Sequence, residues 1–444
     1  MRIKLSDHFT YKKLLKFTMP SILMMVFTSV YGMVDGFFVS NFAGKTPFAA
    51  VNLIFPLLMI LATVGFIFGT GGTAIVAKTL GEGDKKRANE YFSLFVLVTL
   101  FLGVLFAVIG IIFARPLSIM LGASGELLEC SVLYARVILL ALPFFCLQLL
   151  FQSFFVTAEK PGLGFTITLI AGVTNMVLDA VLVGFLPLEH KLLGAAIATG
   201  VSQIVGGLVP IIYFLRKNDS ILRIVKTKFY GNALVKAVVN GSSEFMSNVS
   251  MNLVGMLYNI QLLKYAGESG VASYGVMMYV SFMFASAFIG YSIGVAPVVG
   301  FNYGAKRNKE LKEILIKSLI ITAFLSLIML VSGELLARPL AFIFVGYDKE
   351  LISLTVSGFR IFALSFAFMG FAIFSSGFFT ALSNGVISAI ISFLRTLVFQ
   401  AGAVLLLPLI FGIEGIWWSV VVAEFMAAIL GSLFITIKRK KYGY

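Results

Sequence analysis

An all-α integral membrane protein, with twelve transmembrane helices in two pseudo-symmetric six-helix lobes, follows from three observations. Of the 444 residues, 59% are hydrophobic and only 12% charged, with mean hydropathy +1.02. A soluble chain is about a quarter charged. Mostly apolar runs recur twelve times at the length that crosses a hydrocarbon core as a helix. The first half of the chain also repeats in the second. Backbone polar groups in lipid must be satisfied internally, and runs this long and apolar do so as helices rather than barrel strands.

The first six runs lie near 15–41, 47–76, 91–114, 130–156, 162–187 and 192–215. The second six lie near 236–263, 270–300, 313–337, 352–378, 384–411 and 413–437. Span 1 carries Asp35 in Tyr31-Gly-Met-Val-Asp-Gly-Phe-Phe, with no other acid between Phe17 and Phe42. Span 2 closes on Gly69-Thr-Gly-Gly72, which reads as close helix packing because the Lys-Ser/Thr of a phosphate loop is missing. Span 4 holds Cys130 and Cys146, without metal spacing. Asn175 and Asp179 lie in span 5, and Thr199 and Gln203 in span 6.

Span 7 bears Glu244, Asn248, Asn252 and Asn259, a polar stripe. Arg136 and Arg360 sit near the outer ends of spans 4 and 10, where snorkelling explains them. Arg395 lies centrally in span 11, too deep to snorkel easily, and its partner is not readable; Glu424 is the acid of span 12. The longest polar connection divides the chain into 1–215, a linker 216–235, and 236–444.

The halves correspond at an offset of 223 residues: Ala43-Gly44 with Ala266-Gly267, Gly81 with Gly304, Arg115-Pro116 with Arg338-Pro339, Thr157-Ala158 with Thr380-Ala381. Gly32 and Gly255 match, as do Gly162 and Gly385; a one-residue slip aligns Arg136 with Arg360. Six spans per half keep both repeats in the same orientation. Parallel repeats of this kind recur in secondary transporters, with the substrate path between them.

The net charge of +14 is a topology signal rather than a nucleic-acid signal. With both ends inside, 25 of the 34 Lys and Arg fall on one side, from Arg2 in the N-tail to Lys441, against six on the other. This places both termini in the cytoplasm. The same basic side suits anionic membrane lipid. No cleavable signal is expected before the first run, and no nucleotide-hydrolysing domain is expected, so any pumping would draw on an ion gradient or a separate protein.

Tyr31 and Asp35, Asn175 and Asp179, and Thr199 and Gln203 are each spaced i, i+4, on one helix face. If these faces converge, they form an oxygen-rich cluster around two carboxylates, which then hold a proton or share a monovalent cation. The bland alternative is a hydrogen-bonded network that locks helices together. Glu244 can equally be an interfacial acid. Met and Phe walls suit flat lipophilic cations.

With these features in place, the chain resembles a multidrug and toxic compound extrusion (MATE) transporter of the bacterial multidrug-efflux branch over its whole length. The resemblance rests on Met33-Val-Asp-Gly-Phe-Phe-Val, Pro56, Ala43-Gly44, Gly81-Glu-Gly-Asp, Asn175-x-x-x-Asp179 with Thr199, and Asn240-Gly-Ser-Ser-Glu-Phe-Met-Ser-Asn. It implies V-shaped lobes that alternate access and export cationic lipophilic drugs or dyes for protons or sodium, without enzymatic activity or a cofactor. It also implies a plasma (inner) membrane location, and a two-lobe carrier of this kind is expected to be a monomer.

By position Asp35, Asn175, Asp179 and Thr199, with Tyr31, match the family's cation site; any bound metal is Na⁺ at Asp35 and Asp179. Glu244 matches a family acid, and Asn248, Asn252, Gln203 and Arg395 are further cavity candidates. The tenth span, however, lacks the carboxylate that some members place there. Drug and cation are expected to compete at the N-lobe. The alternatives are a flippase for lipid-linked saccharides, which would need a basic cavity, and a membrane enzyme or channel, whose motifs are missing.

Overall fold

The computed structural model describes residues 3–345 and 348–444; Arg2, counted above in the N-terminal tail, lies outside them. Every regular element among the described residues is helical. The first lobe comprises α1 (Tyr11–Ala43), α2 (Lys45–Gly81), α3 (Lys85–Ile112), α4 (Gly125–Thr157), α5 (Pro161–Val183) and α6 (Leu188–Leu215). The second comprises α7 (231–266), α8 (Ser269–Gly304), α9 (Asn308–Val345), α10 (Lys349–Ala363 with Phe366–Ala381), α11 (Gly385–Phe411) and α12 (Ile413–Tyr442).

Among the described residues ten helices are long and apolar enough to cross a membrane, and the two parts of α10, bent by 47°, make an eleventh. The remaining stretch, α7, is helical but carries Asn240, Glu244, Asn248, Asn252 and Asn259. Its polarity is why the repeat, more than hydropathy, marks it as a seventh crossing. The connection is extended only over 216–230, because α7 begins at Gly231, inside the segment read as linker. It is pinned to the first lobe, where the Val225 amide donates to Ser93 Oγ at 2.8 Å.

The repeat recurs in the backbone. Gly44 and Gly267 have φ of 104° and 60°, Gly83 and Lys306 have 90° and 57°, and Glu159 and Ser383 have 59° and 58°. Each pair is a turn whose left-handed residue is reproduced one repeat later.

The lobes are joined at the end that bears both termini. Far from it, one apolar core runs from Val39 through Leu58 and Ile138 to Ala196, wholly in the first lobe. Another runs from Val254 through Phe284 and Phe362 to Val420, wholly in the second. Toward the termini the cores mix: Leu14, Phe17 and Val156 pack with Tyr291, Leu311 and Phe378.

Glycines permit this closure, and they do so symmetrically. A Cβ on Gly81 would lie 2.1 Å from Phe301 O, and one on Gly304 would lie 2.1 Å from Lys78 O. Since Lys78 and Phe301 are themselves repeat mates, α2 and α8 cross on the pseudo-two-fold axis. The contact of α2 with α7 at Gly71 and Gly241 is mirrored by that of α8 with α1 at Gly294 and Thr18. The molecule is therefore open at the far end and shut at the terminal end.

The N-terminal tail lies across that shut end. The Leu5 amide donates to Glu159 Oε1 at 2.9 Å in the first lobe, and the Phe9 amide to Glu310 Oε1 at 2.9 Å in the second. Lys317 Nζ donates to Phe9 O at 2.7 Å. Leu5 and Phe9 are fully buried.

Candidate functional site

Two polar sites emerge, one in each lobe. In the first, α1, α5 and α6 bring Asp35, Asn175, Asp179 and Thr199 together. The Thr199 hydroxyl donates to Asp35 Oδ1 at 3.1 Å, and Asn175 Nδ2 donates to Thr199 Oγ1 at 3.4 Å. The Asp35 and Asp179 carboxyl groups are neighbours. Asp179 and Asn175 are buried, and among the described residues neither Asp179 oxygen nor Asn175 Oδ1 receives a hydrogen bond from an N–H or hydroxyl group.

Local sequence explains the approach. Gly172, one turn before Asn175, leaves room for Tyr31, whose Cδ1 would be 2.9 Å from a Cβ placed there. From Asp179 to Val183 the helix widens into a π turn, a deformation that helices often carry at functional positions. Tyr31 stands beside Asp35 and within reach of Gln148 of α4; Tyr134 of α4 neighbours both acids. Sequence reasoning singled out neither Gln148 nor Tyr134. Gln148 was visible as a polar residue in an apolar run, but nothing in sequence ties that face of α4 to α1. Among the described residues no Lys, Arg or His pairs with either carboxyl.

The second site is a cavity of about 220 Å³, open on one side. Thr70, Thr73 and Ser153 border it from the first lobe, and α7, α8, α10, α11 and α12 supply the rest. Its walls combine Met251, Met278, Phe282 and Met369 with hydroxyl groups. Ser376, Ser392 and Thr380 belong to a chain of contacts through Ser388 at 2.7–2.9 Å.

Arg395 and Glu424 both line this cavity and are bound to each other. Arg395 Nε is 2.8 Å from Glu424 Oε2 and Nη2 is 2.9 Å from Oε1. Their side chains are 16% and 1% exposed. Arg395 projects from a π turn, Leu394–Phe399. Glu244 also lines the cavity, and among the described residues its carboxyl accepts no hydrogen bond and joins no ion pair.

The other cavity candidates fall elsewhere. Asn248 and Asn252 are not in the cavity wall; their amides donate at 2.9 Å to the carbonyls of Glu244 and Asn248 one turn back. Gln203 is buried in the first lobe. The wall face of α7 is instead Ser243, Glu244, Ser247, Met251 and Val254, and the asparagine stripe is rotated off it. Asp35 and Asp179 also lie off the cavity wall, so the carboxylate pair and the ligand-sized space are separate sites.

Helix α1 connects them. It carries Asp35, and nearer the terminal end its Ile22 and Thr18 pack on Gly290 and Gly294 of α8. Ile289, Ser292 and Ile293 of that stretch line the cavity. Helix α1 therefore touches both the carboxylate pair and the helix that walls the cavity.

Comparison with known proteins gives this architecture its family. The MatE family model matches residues 20–181 and 245–405, once in each lobe. The multidrug export protein MepA of Staphylococcus haemolyticus is 25% identical over 97% of this chain and 94% of its own length. MepA of Staphylococcus aureus strain NCTC 8325 is 22% identical over the same shares. Among solved structures, a MATE in complex with MaL6 superposes with TM-score 0.91 at 24% identity, covering 98% of both chains. An outward-facing multidrug resistance MATE transporter does so with TM-score 0.91 at 23% identity, covering 98% of this chain and 97% of that one. The chain is a multi-pass membrane protein of the MatE family, a family of transporters and not of enzymes.

Proposed function

We propose that this protein is a secondary active multidrug efflux antiporter that exports cationic lipophilic compounds in exchange for protons or sodium. The observation that carries this reading is the first-lobe cluster of buried oxygens without donors: both Asp179 oxygens and Asn175 Oδ1, beside Asp35 and Thr199. Adjacent carboxylates repel, and buried acceptors without donors are costly. A proton or a sodium ion supplies what both lack.

The cavity wall, apolar and aromatic with one unpaired acid at Glu244, suits a lipophilic cation. The multidrug export names of the relatives agree with this substrate class. Drug and cation occupy different sites, so the exchange works through α1 rather than by direct displacement at Asp35. Cation uptake from the open end repacks α1, shifts its contact on Gly290 and Gly294, and weakens drug binding. Cation loss at the other face resets the carrier.

The terminal end carries most of the Lys and Arg, which supports cytoplasmic termini in a plasma (inner) membrane. Two complete lobes support a monomer. Arg395 is tied to Glu424, so the cavity is not the basic one that a lipid-linked pyrophosphate needs.

The test is dye efflux from proteoliposomes under an imposed sodium or proton gradient, one of which should drive export. Asp35→Asn should abolish the driven component. Intact gradient-driven efflux in that variant overturns the coupling assignment, and transport of lipid-linked saccharides without dyes overturns the substrate class.

A further inference from the structure

We propose that Arg395 sets the valence of the transported cation: by neutralising Glu424 it leaves the cavity a single net negative charge, on Glu244, so the site selects monovalent lipophilic cations over dications. This rests on the cation-export reading above and adds the ligand's charge to it.

Three formally charged side chains line the cavity among the described residues: Glu244, Arg395 and Glu424. Glu424 is satisfied by the guanidinium through Nε and Nη2, at 2.8–3.1 Å. Glu244, on the opposing helix α7, has no such partner. Asp35 and Asp179 are outside the wall and do not enter the count.

A monovalent cation that pairs with Glu244 brings the cavity to neutrality. A ligand with a second positive charge, too short for that charge to reach bulk water, leaves it uncompensated in a largely apolar space. It also faces the guanidinium rather than a second acid. Charges buried without a partner are strongly disfavoured, so the ion pair rejects dications without touching the ligand's first charge. Hydrophobic walls alone would favour whichever compound buries more apolar surface.

The experiment compares a quaternary ammonium amphiphile with a short bis-quaternary analogue on the same scaffold, in equilibrium binding to purified protein and in proteoliposome efflux. The wild type should prefer the monocation by about tenfold or more. Arg395→Gln, which removes the fixed cation beside Glu424 and opens that acid to a ligand's second charge, should shift that ratio toward the dication by about tenfold. Arg395→Gln combined with Glu424→Gln restores the single-acid count and should restore the monocation preference. Arg395→Lys should keep it.

An unchanged ratio in Arg395→Gln overturns the proposal, as does an equal shift in the single and double variants. If Arg395→Gln does not fold, the decision falls to the double variant and to Glu244→Gln, which must lose monocation affinity by about tenfold. Retention of that affinity overturns the proposal. A wild type that binds and moves neither amphiphile overturns the export reading and this inference with it. One that moves both with no preference overturns this inference alone.

Discussion

The two lobes share a fold and a repeat, yet they treat buried charge in opposite ways. In the first, α1, α5 and α6 converge on Asp35 and Asp179, two acids with no basic partner among the described residues. In the second, the corresponding helices α7, α11 and α12 place Tyr258 one repeat from Asp35 and Arg395 one repeat from Gly172. Glu424 stands close to the repeat position of Gln203 and is held by Arg395 in a two-point ion pair. Tyr258, buried and stacked on Tyr274 with ring centroids 4.9 Å apart, fills the place of the first carboxylate. The second lobe thus balances its buried acid with a covalently attached cation, and the first does not. A duplicated scaffold joins a half with two acids that have no basic partner among the described residues to a half that frames a cavity with an ion pair in its wall.

The largest effect expected from this contrast is on stability. Removing one partner of a buried ion pair leaves the other charge uncompensated, at a cost of about 3–5 kcal/mol. Arg395→Gln should therefore lower the thermal unfolding midpoint of the detergent-solubilised protein sharply, and adding Glu424→Gln should recover most of the loss. Asp35→Asn should do the reverse, leaving the midpoint unchanged or raised, because it relieves an acid pair. If Arg395→Gln costs no more than Asp35→Asn, the fixed-cation account of the second lobe breaks.

A second prediction concerns the crossing on the pseudo-axis. Gly81 and Gly304 each meet a carbonyl of the other lobe, at distances no real Cβ tolerates. Alanine at either position should destabilise the shut terminal end by about 1–3 kcal/mol, the usual cost of overpacking. Because the two contacts are symmetric, the variants should behave alike. The readout is thiol labelling, from the terminal side, of a single cysteine replacing Ser247 in the cavity wall, in a background with Cys130 and Cys146 removed. Labelling should rise in both variants. A rise in only one would show that closure is not shared equally by the lobes.

The sequence made the first-lobe site readable because its members announce themselves. Acids in apolar helices are rare, and the i, i+4 spacing of Asn175 and Asp179 gives them a common face. The repeat was readable too, and its turns at Gly44 and Gly267 show why: each needs a left-handed residue where two helices reverse. The Arg395–Glu424 pair was not readable. Twenty-nine residues and a turn separate them, and no spacing rule links a residue in the middle of one helix to one in the middle of the next. The asparagine stripe on α7 misled in a different way. Helical periodicity shows that Asn248 and Asn252 share a face, but which face meets the cavity depends on how α7 is rotated against α8 and α11. The separation of the carboxylate pair from the cavity follows from the same tertiary packing, which no spacing rule contains.

The smallest effect should come from a hydroxyl donor to Asp35. Thr199 links α6 to α1 through a hydroxyl that donates to Asp35 Oδ1 at 3.1 Å while accepting from Asn175. Valine there keeps the shape of the side chain and removes both interactions. A hydrogen bond to a charged group is worth about 1.5–3 kcal/mol, and Thr199 is only partly buried, so the lower figure applies. Thr199→Val should raise the cation concentration that half-saturates driven efflux by about tenfold, the equivalent of about 1.4 kcal/mol, with little change in monocation binding to the cavity at saturating cation. Equal losses in cation response and in cavity binding would mean that Thr199 supports the lobe as a whole. The division between the half that holds the acid pair and the half that frames the cavity would then lose its sharpest boundary.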